Sequence, residues 1–203
     1  MRRAHYGGDV DEQGGPQMVD PGPREPRITP VQRHDDKQVL NIFRTLSHNG
    51  PLLKSFLTLG SHLLQEGRVD PRERELVILR VGWQCAAEYE FAQHMTIGKS
   101  VGVTDEEINR LADCGEGQWS DADQALVNLA DELCSDNVVS ELTWSALAAR
   151  FDDATLLELL MLVGFYRLVS GTLNSTGVAL EPGVEGWPAR SVPVRRAPRQ
   201  SAP

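Results

Sequence analysis

Cysteine is scarce in this chain, with three in 203 residues, at Cys85, Cys114 and Cys134. None lies in a CxxC pair, and an odd number without paired spacing excludes a disulfide framework and a zinc-finger site. Positive charge is also short: 20 Lys and Arg stand against 29 Asp and Glu, for a formal net charge of −9. Such a surface does not suit nucleic acid, whose phosphates call for clustered basic residues. No uninterrupted apolar run approaches the ~20 residues of a membrane span. The first residues, MRRAHYGGDV, lack the apolar core of a secretory signal. These absences point to a soluble protein of a reducing cytoplasm, with its cysteines as small buried apolar groups.

Alternating strand-like patterns are missing as well, so the expected class is all-α. Residues 1–30 are rich in Gly and Pro and read as a flexible arm, and residues 181–203 as a Pro/Arg-rich tail. Between them, residues 31–180 read as a single helical domain. Helices are expected over 36–48, 51–65 (with Leu52, Phe56, Leu59 and Leu63 as its apolar stripe), 71–86 and 88–101. Asp70-Pro71 is an N-cap followed by proline at the first helical position. Thr104 and Glu107 form a capping box. Ser120, Ser140, and Asp152 or Asp153 cap three further helices, of which the last is apolar on most sides, as a central helix is. Arg167, Ser170 and Asn174 make it too polar for a simple membrane span. Gly67-Arg68-Val69-Asp70 and Arg150-Phe151-Asp152-Asp153 precede the two long helices in similar fashion, a faint echo of repeated helix pairs.

The candidate chemistry lies in residues 72–94, RERELVILRVGWQCAAEYEFAQH. Glu90 and His94 are four apart and share a helix face. Glu75 directly precedes the apolar run 76–79 and is expected to point inward. Two carboxylates and an imidazole can move protons, with the carboxylate fixing the imidazole tautomer and favouring its charged form. The same spacing also suits an ordinary surface ion pair. Tyr89 is a candidate hydrogen-bond donor to a substrate, or a packing residue. Arg80 and Arg167 are candidates for a substrate carboxylate. The Glu-x-x-x-His spacing differs from the Glu-x-x-His of di-iron bundles, and neither a metal nor another cofactor is expected.

FRTLSHNGPLLKSFLTLGSHLL, PRERELVILRVGW, EYEFAQHMTIGKSVGVTDEEI and LLELLMLVGFYRLVSGTLNSTGV together resemble the carboxymuconolactone decarboxylase-like family, which includes the alkylhydroperoxidase D type proteins. The resemblance covers about residues 36–180. It implies an alkylhydroperoxidase D-like bundle of paired helices, assembled as trimers or hexamers with the site near the subunit contacts. Peroxidase members carry a Glu, a CxxC pair and a His four positions after the second cysteine. Aligned on His94, the glutamate falls on Glu75, but the cysteines fall on Ala87 and Glu90, and Cys85 is two positions too early. The proton-relay partners are therefore kept and both redox sulfurs are absent.

The expected function is a cofactor-independent acid/base enzyme acting on a small-molecule lactone or oxo-acid as a decarboxylase, isomerase or hydrolase. In that reading His94 is the acid/base, Glu90 orients it and Glu75 completes the relay. The alternatives are alkylhydroperoxidase-type peroxide reduction through the lone Cys85, resolved by an external thiol, and a non-catalytic oligomeric binding protein.

Overall fold

The computed structural model describes residues 25–31, 39–112 and 119–188. Cys114, the first part of the N-terminal arm and the arginines of the C-terminal tail lie outside the described residues. Eight α-helices are found among those described, with no strand: α1 Asn41–Leu46, α2 Gly50–Ser61, α3 Pro71–Gln84, α4 Glu88–Ser100, α5 Asp105–Ala112, α6 Asp121–Asp136, α7 Glu141–Ala148 and α8 Asp153–Thr176. The all-α expectation holds.

The starts of these helices follow local capping chemistry. Asp70 accepts from the Arg72 and Glu73 amides, and Ser120, Ser140 and Asp152 accept from Asp123, Thr143 and Thr155. Thr104 and Glu107 cap one another, the Thr104 amide donating to Glu107 at 2.8 Å and the Glu107 amide to the Thr104 hydroxyl at 3.2 Å. Each such cap satisfies a backbone donor that the helix start leaves unpaired, worth about 1 kcal/mol.

α3 is the central helix. Leu76, Val77, Ile78, Leu79 and Val81 are all fully buried, because α4, α5, α6 and α8 surround the helix. Burial of each such side chain contributes ~1.5–3 kcal/mol. A tight turn at Cys85–Ala87, with Ala86 at φ 48°, folds α4 back along α3. That hairpin brings Glu75, on α3, level with His94, on α4. The core divides around α3: one part packs against α6 and α8, and another gathers Trp83, Phe91, Val103, Ile108 and Leu111.

Three differences from the sequence reading have physical causes. In α2 the expected stripe is split, for Leu52 and Leu59 are exposed while Leu63 is buried. A π-helical turn over His62–Glu66 adds a residue to the end of the helix and rotates the chain beyond it. Phe56 instead packs on Phe165 of α8, with ring centroids 5.0 Å apart.

The second difference concerns the ends. Residues 181–188, read as tail, are docked: Glu181 accepts from the Asn41 amide at 2.7 Å, the Tyr89 hydroxyl at 2.6 Å and the Gln93 amide. Trp187 lies against Trp83 and Phe91, each at 5.2 Å between centroids. Part of the arm is docked too, with the Arg27 amide on the Thr176 carbonyl at 2.8 Å.

Third, α8 is more apolar than the run-length reading allowed. Its most apolar window has a mean hydropathy of 1.6, enough by length and composition to cross a bilayer. Its inner face, from Leu156 to Leu173, is buried against the rest of the fold. Leu157, Met161 and Leu168 form an outward apolar stripe.

The link from α2 to α3 is held by one carboxylate. Glu158 of α8 accepts from the Arg68 amide at 2.8 and 2.9 Å and from the Val69 amide at 3.1 Å. Glu158→Ala leaves both amides without this partner and removes the tie between α8 and the start of α3. It is expected to lower unfolding stability by about 1–3 kcal/mol, read as a lower urea midpoint at unchanged slope.

Candidate functional site

Of the four charges in REREL, the first two face outward. Arg72 pairs with Glu107 and Asp123, and Glu73 with Arg150. The next two turn inward, since the apolar run behind them belongs to the helix that every neighbour packs against. Glu75 is fully buried, and Arg74, Glu90 and His94 are each less than a tenth exposed.

The expected trio converges. His94 Nδ1 lies 2.6 Å from Glu75 Oε2, and His94 Nε2 lies 3.0 Å from Glu90 Oε1. The arrangement refines the roles expected for the carboxylates. Glu75, across the helical hairpin, makes the shorter contact and orients the ring through Nδ1. Glu90, one turn before His94, takes the opposite nitrogen. The surface ion-pair reading fails, because all three side chains are buried.

Burial by itself pulls the His94 pKa down. The hydrogen bonds to Glu75 and Glu90, helped by their charges, outweigh it and raise the pKa to about 10. At neutral pH His94 is thus an imidazolium donating from both nitrogens. No metal-holding cluster of His, Cys, Asp and Glu is found among the described residues.

Two residues not anticipated complete the cluster. Tyr166 of α8 sets its ring edge-on to the imidazole, with centroids 5.1 Å apart and an interplanar angle of 88°. Burial first, then the negative charges of Glu90 and Glu75, hold its phenol well above the ordinary range, so it stays neutral. Arg74 places Nε 3.5 Å from Glu75 Oε1. With both glutamates ionised, Arg74 and His94 bring the group to zero net charge. Tyr166 lies 72 positions from His94 and no local spacing announces it. Arg74 was visible only as one of several charges at a helix start.

The other candidates have different employment. The Tyr89 hydroxyl donates to Glu181 and accepts from the Ile42 amide at 3.3 Å, so it clasps the C-terminal segment and α1 rather than facing a substrate. Arg80 is buried on Asp131 and the Leu111 carbonyl. Arg167 donates to the Leu133 carbonyl at 2.7 Å and to Asn137 at 2.6 Å. Both arginines are therefore committed elsewhere. Cys85 closes α3, and its thiol is hydrogen-bonded with that of Cys134. That bond and burial push the Cys134 thiol far above its ordinary pKa.

The imidazolium has a measurable signature. With a folded pKa near 10 and an unfolded one of ~6.5, its stabilising contribution is complete below pH ~6.5 and is lost as pH rises through about 10. Nitrogen NMR of His94 is expected to show both ring nitrogens protonated at pH 8. Urea midpoints should fall toward pH 10 more steeply in the wild type than in His94→Gln; a neutral His94 at pH 8 contradicts this electrostatic picture.

Comparison with known proteins agrees with the geometry. Residues 51–132, which contain Glu75, Glu90 and His94, match the carboxymuconolactone decarboxylase family. No curated protein matches the chain in sequence. Among solved structures, it is similar to an uncharacterized peroxidase-related protein from Silicibacter sp. TM1040, at 14% identity and TM-score 0.65, over 71% of this chain and 78% of that one. An uncharacterized peroxidase-related protein with an alkylhydroperoxidase AhpD core, from Ralstonia eutropha JMP134, gives 20% identity and TM-score 0.64 over 71% and 78%. The debrominase Bmp8, in complex with 2,3,4-tribromopyrrole, gives 13% identity and TM-score 0.64 over 78% and 94%. The helical fold is thus of the alkylhydroperoxidase D type, and over residues 51–132 the chain is similar to the carboxymuconolactone decarboxylase family.

Proposed function

We propose that this protein is a cofactor-independent acid/base enzyme acting on a small organic acid, in the manner of a decarboxylase, isomerase or hydrolase of a lactone or oxo-acid. One observation carries the reading: an imidazolium buried between two carboxylates, Glu75 and Glu90. Glu75 fixes the ring, His94 holds the mobile proton, and Glu90 exchanges it with the substrate. Loss of carbon dioxide, enolisation and lactone opening all need a proton placed or removed at one atom beside a developing negative charge. A relay closed off from bulk water can do this without a cofactor, because the proton is already held in the site.

The reaction is testable without knowing the natural substrate. A panel of lactone carboxylates and 2-oxo-acids is followed by proton NMR in deuterium oxide, where deuterium incorporation or a new species reports any of the three chemistries. Glu90→Gln and His94→Gln are expected to lower the rate by ~10²–10⁴-fold while the protein stays folded. Full activity in both, or none in the wild type across the panel, overturns the reading in favour of a non-catalytic binding role. The near-closure of the cluster within one chain is the feature that favours that alternative.

Peroxide reduction is the second alternative, and the Cys85–Cys134 contact supports it by supplying an internal resolving thiol. Against it, Cys134 is held in its thiol form, whereas peroxide attack and resolution require thiolates. Cys85→Ser is expected to leave turnover on the panel unchanged.

The protein is further proposed to act as a homo-oligomer. The outward stripe Leu157, Met161 and Leu168 of α8 and the exposed Leu52, Leu57 and Leu59 of α2 are the surfaces that support this. Met161→Glu together with Leu168→Glu is expected to reduce the sedimentation coefficient to that of a single chain; an unaltered coefficient puts the contact elsewhere.

A further inference from the structure

Arg74 is the member of the cluster that the proton relay does not use. Three other arginines each donate from a terminal amino group: Arg72 to Glu107 and Asp123, Arg80 to Asp131 and Leu111, Arg167 to Leu133 and Asn137. Arg74 differs. Its side chain is nine-tenths buried, yet only Nε meets a partner, Glu75 Oε1, at the long distance of 3.5 Å. Its two terminal amino groups donate to nothing among the described residues. Removing a guanidinium from water without partners for its N–H groups is costly, so such a site is incomplete as it stands.

The amino groups are not sealed in. The buried side-chain atoms without a hydrogen-bond partner among the described residues are Arg44 Nε, Trp119 Nε1 and Ser170 Oγ. The Arg74 amino groups are not among them, so they keep a narrow accessible surface, consistent with the 8% exposure of the residue. Glu75 behind them is completely closed at 0%. Arg74 is thus more accessible than the glutamate it pairs with. A guanidinium offering two N–H groups side by side matches a planar carboxylate, which takes both in parallel.

We propose that Arg74 is the substrate-binding residue of the site and grips a carboxylate of the substrate through its terminal amino groups, beside the Glu75–His94–Glu90 relay. This rests on the acid/base reading and narrows its substrates to organic acids whose carboxylate is carried near the reacting atom. An uncharged amide, which offers a single acceptor oxygen, is a poorer match. Arg74 here takes the part that sequence reading gave to Arg80 and Arg167.

Binding is measured apart from turnover, by saturation-transfer NMR titration of the full chain. The probes are acetate, succinate and benzoate, each paired with its uncharged amide. The wild type is expected to bind at least one carboxylate about tenfold more tightly than its amide. Arg74→Met is expected to abolish that preference. Arg74→Lys, which keeps the charge beside Glu75 should the methionine variant fail to fold, is expected to weaken carboxylate binding several-fold and leave amide binding unchanged. His94→Gln is expected to keep carboxylate binding while losing turnover, so a failed relay and a failed anion site give different results. Equal affinity for carboxylates and amides in the wild type, or binding unchanged in the Arg74 variants, overturns the proposal. So does the absence of binding by all three acids.

Discussion

A positive imidazole held between two buried carboxylates is the constraint around which this fold is arranged. Burying any one of these groups alone is prohibitive, whereas together with Arg74 they are neutral and largely satisfy one another. That balance requires α3 and α4 to lie antiparallel at a fixed rotation, since a slip of one residue on either helix turns a carboxylate away from the ring. The apolar packing around α3 supplies the rigidity: its aliphatic side chains from Leu76 to Val81 are fully enclosed. Tyr166 closes the remaining side with a neutral ring, adding bulk without upsetting the charge count.

The role proposed for Glu90 differs in kind from that of a thiol. A relay that delivers a proton to and from a side chain is indifferent to whether that side chain is sulfur or carboxylate. The difference lies in the next step. A thiolate attacks and is oxidised, while a carboxylate can only pass the proton onward. In the proposed reading Glu75, His94 and the carboxylate of Glu90 handle a proton without sulfur. Among the described residues, Cys85 and Cys134 contact each other at the junction of α3 and α6, away from the hydrogen bonds of His94.

Much of this was legible in the chain because the signals are local. Caps at Asp70, Thr104, Ser120, Ser140 and Asp152 act within one turn, so they can be read without tertiary knowledge. The inward turn of Glu75 followed from the apolar run after it, and the pairing of His94 with Glu90 from the helical repeat. What escaped depended on distant partners. Which imidazole nitrogen each glutamate takes is set by the rotation of one helix against another. Tyr166 joins the site only once α8 packs against α4. The docking of residues 181–188 was hidden because Pro and Gly composition reads as a tail, although Glu181 and Trp187 alone provide enough contact to order it. The extra residue of the π-helical turn likewise cannot be seen in the Leu52–Leu63 pattern, which continues through it unbroken.

The two-sided character of α8 has a thermodynamic consequence. One face carries Tyr166 against His94, and the other carries the bare stripe of Leu157, Met161 and Leu168. A neighbouring molecule seated on the stripe and a ligand seated beside His94 would press on the same rigid helix from opposite sides. If either shifts α8, each changes the affinity for the other by the same factor, as linkage demands. Protein concentration would then act on this site as an effector does, with α8 as the element that both events share.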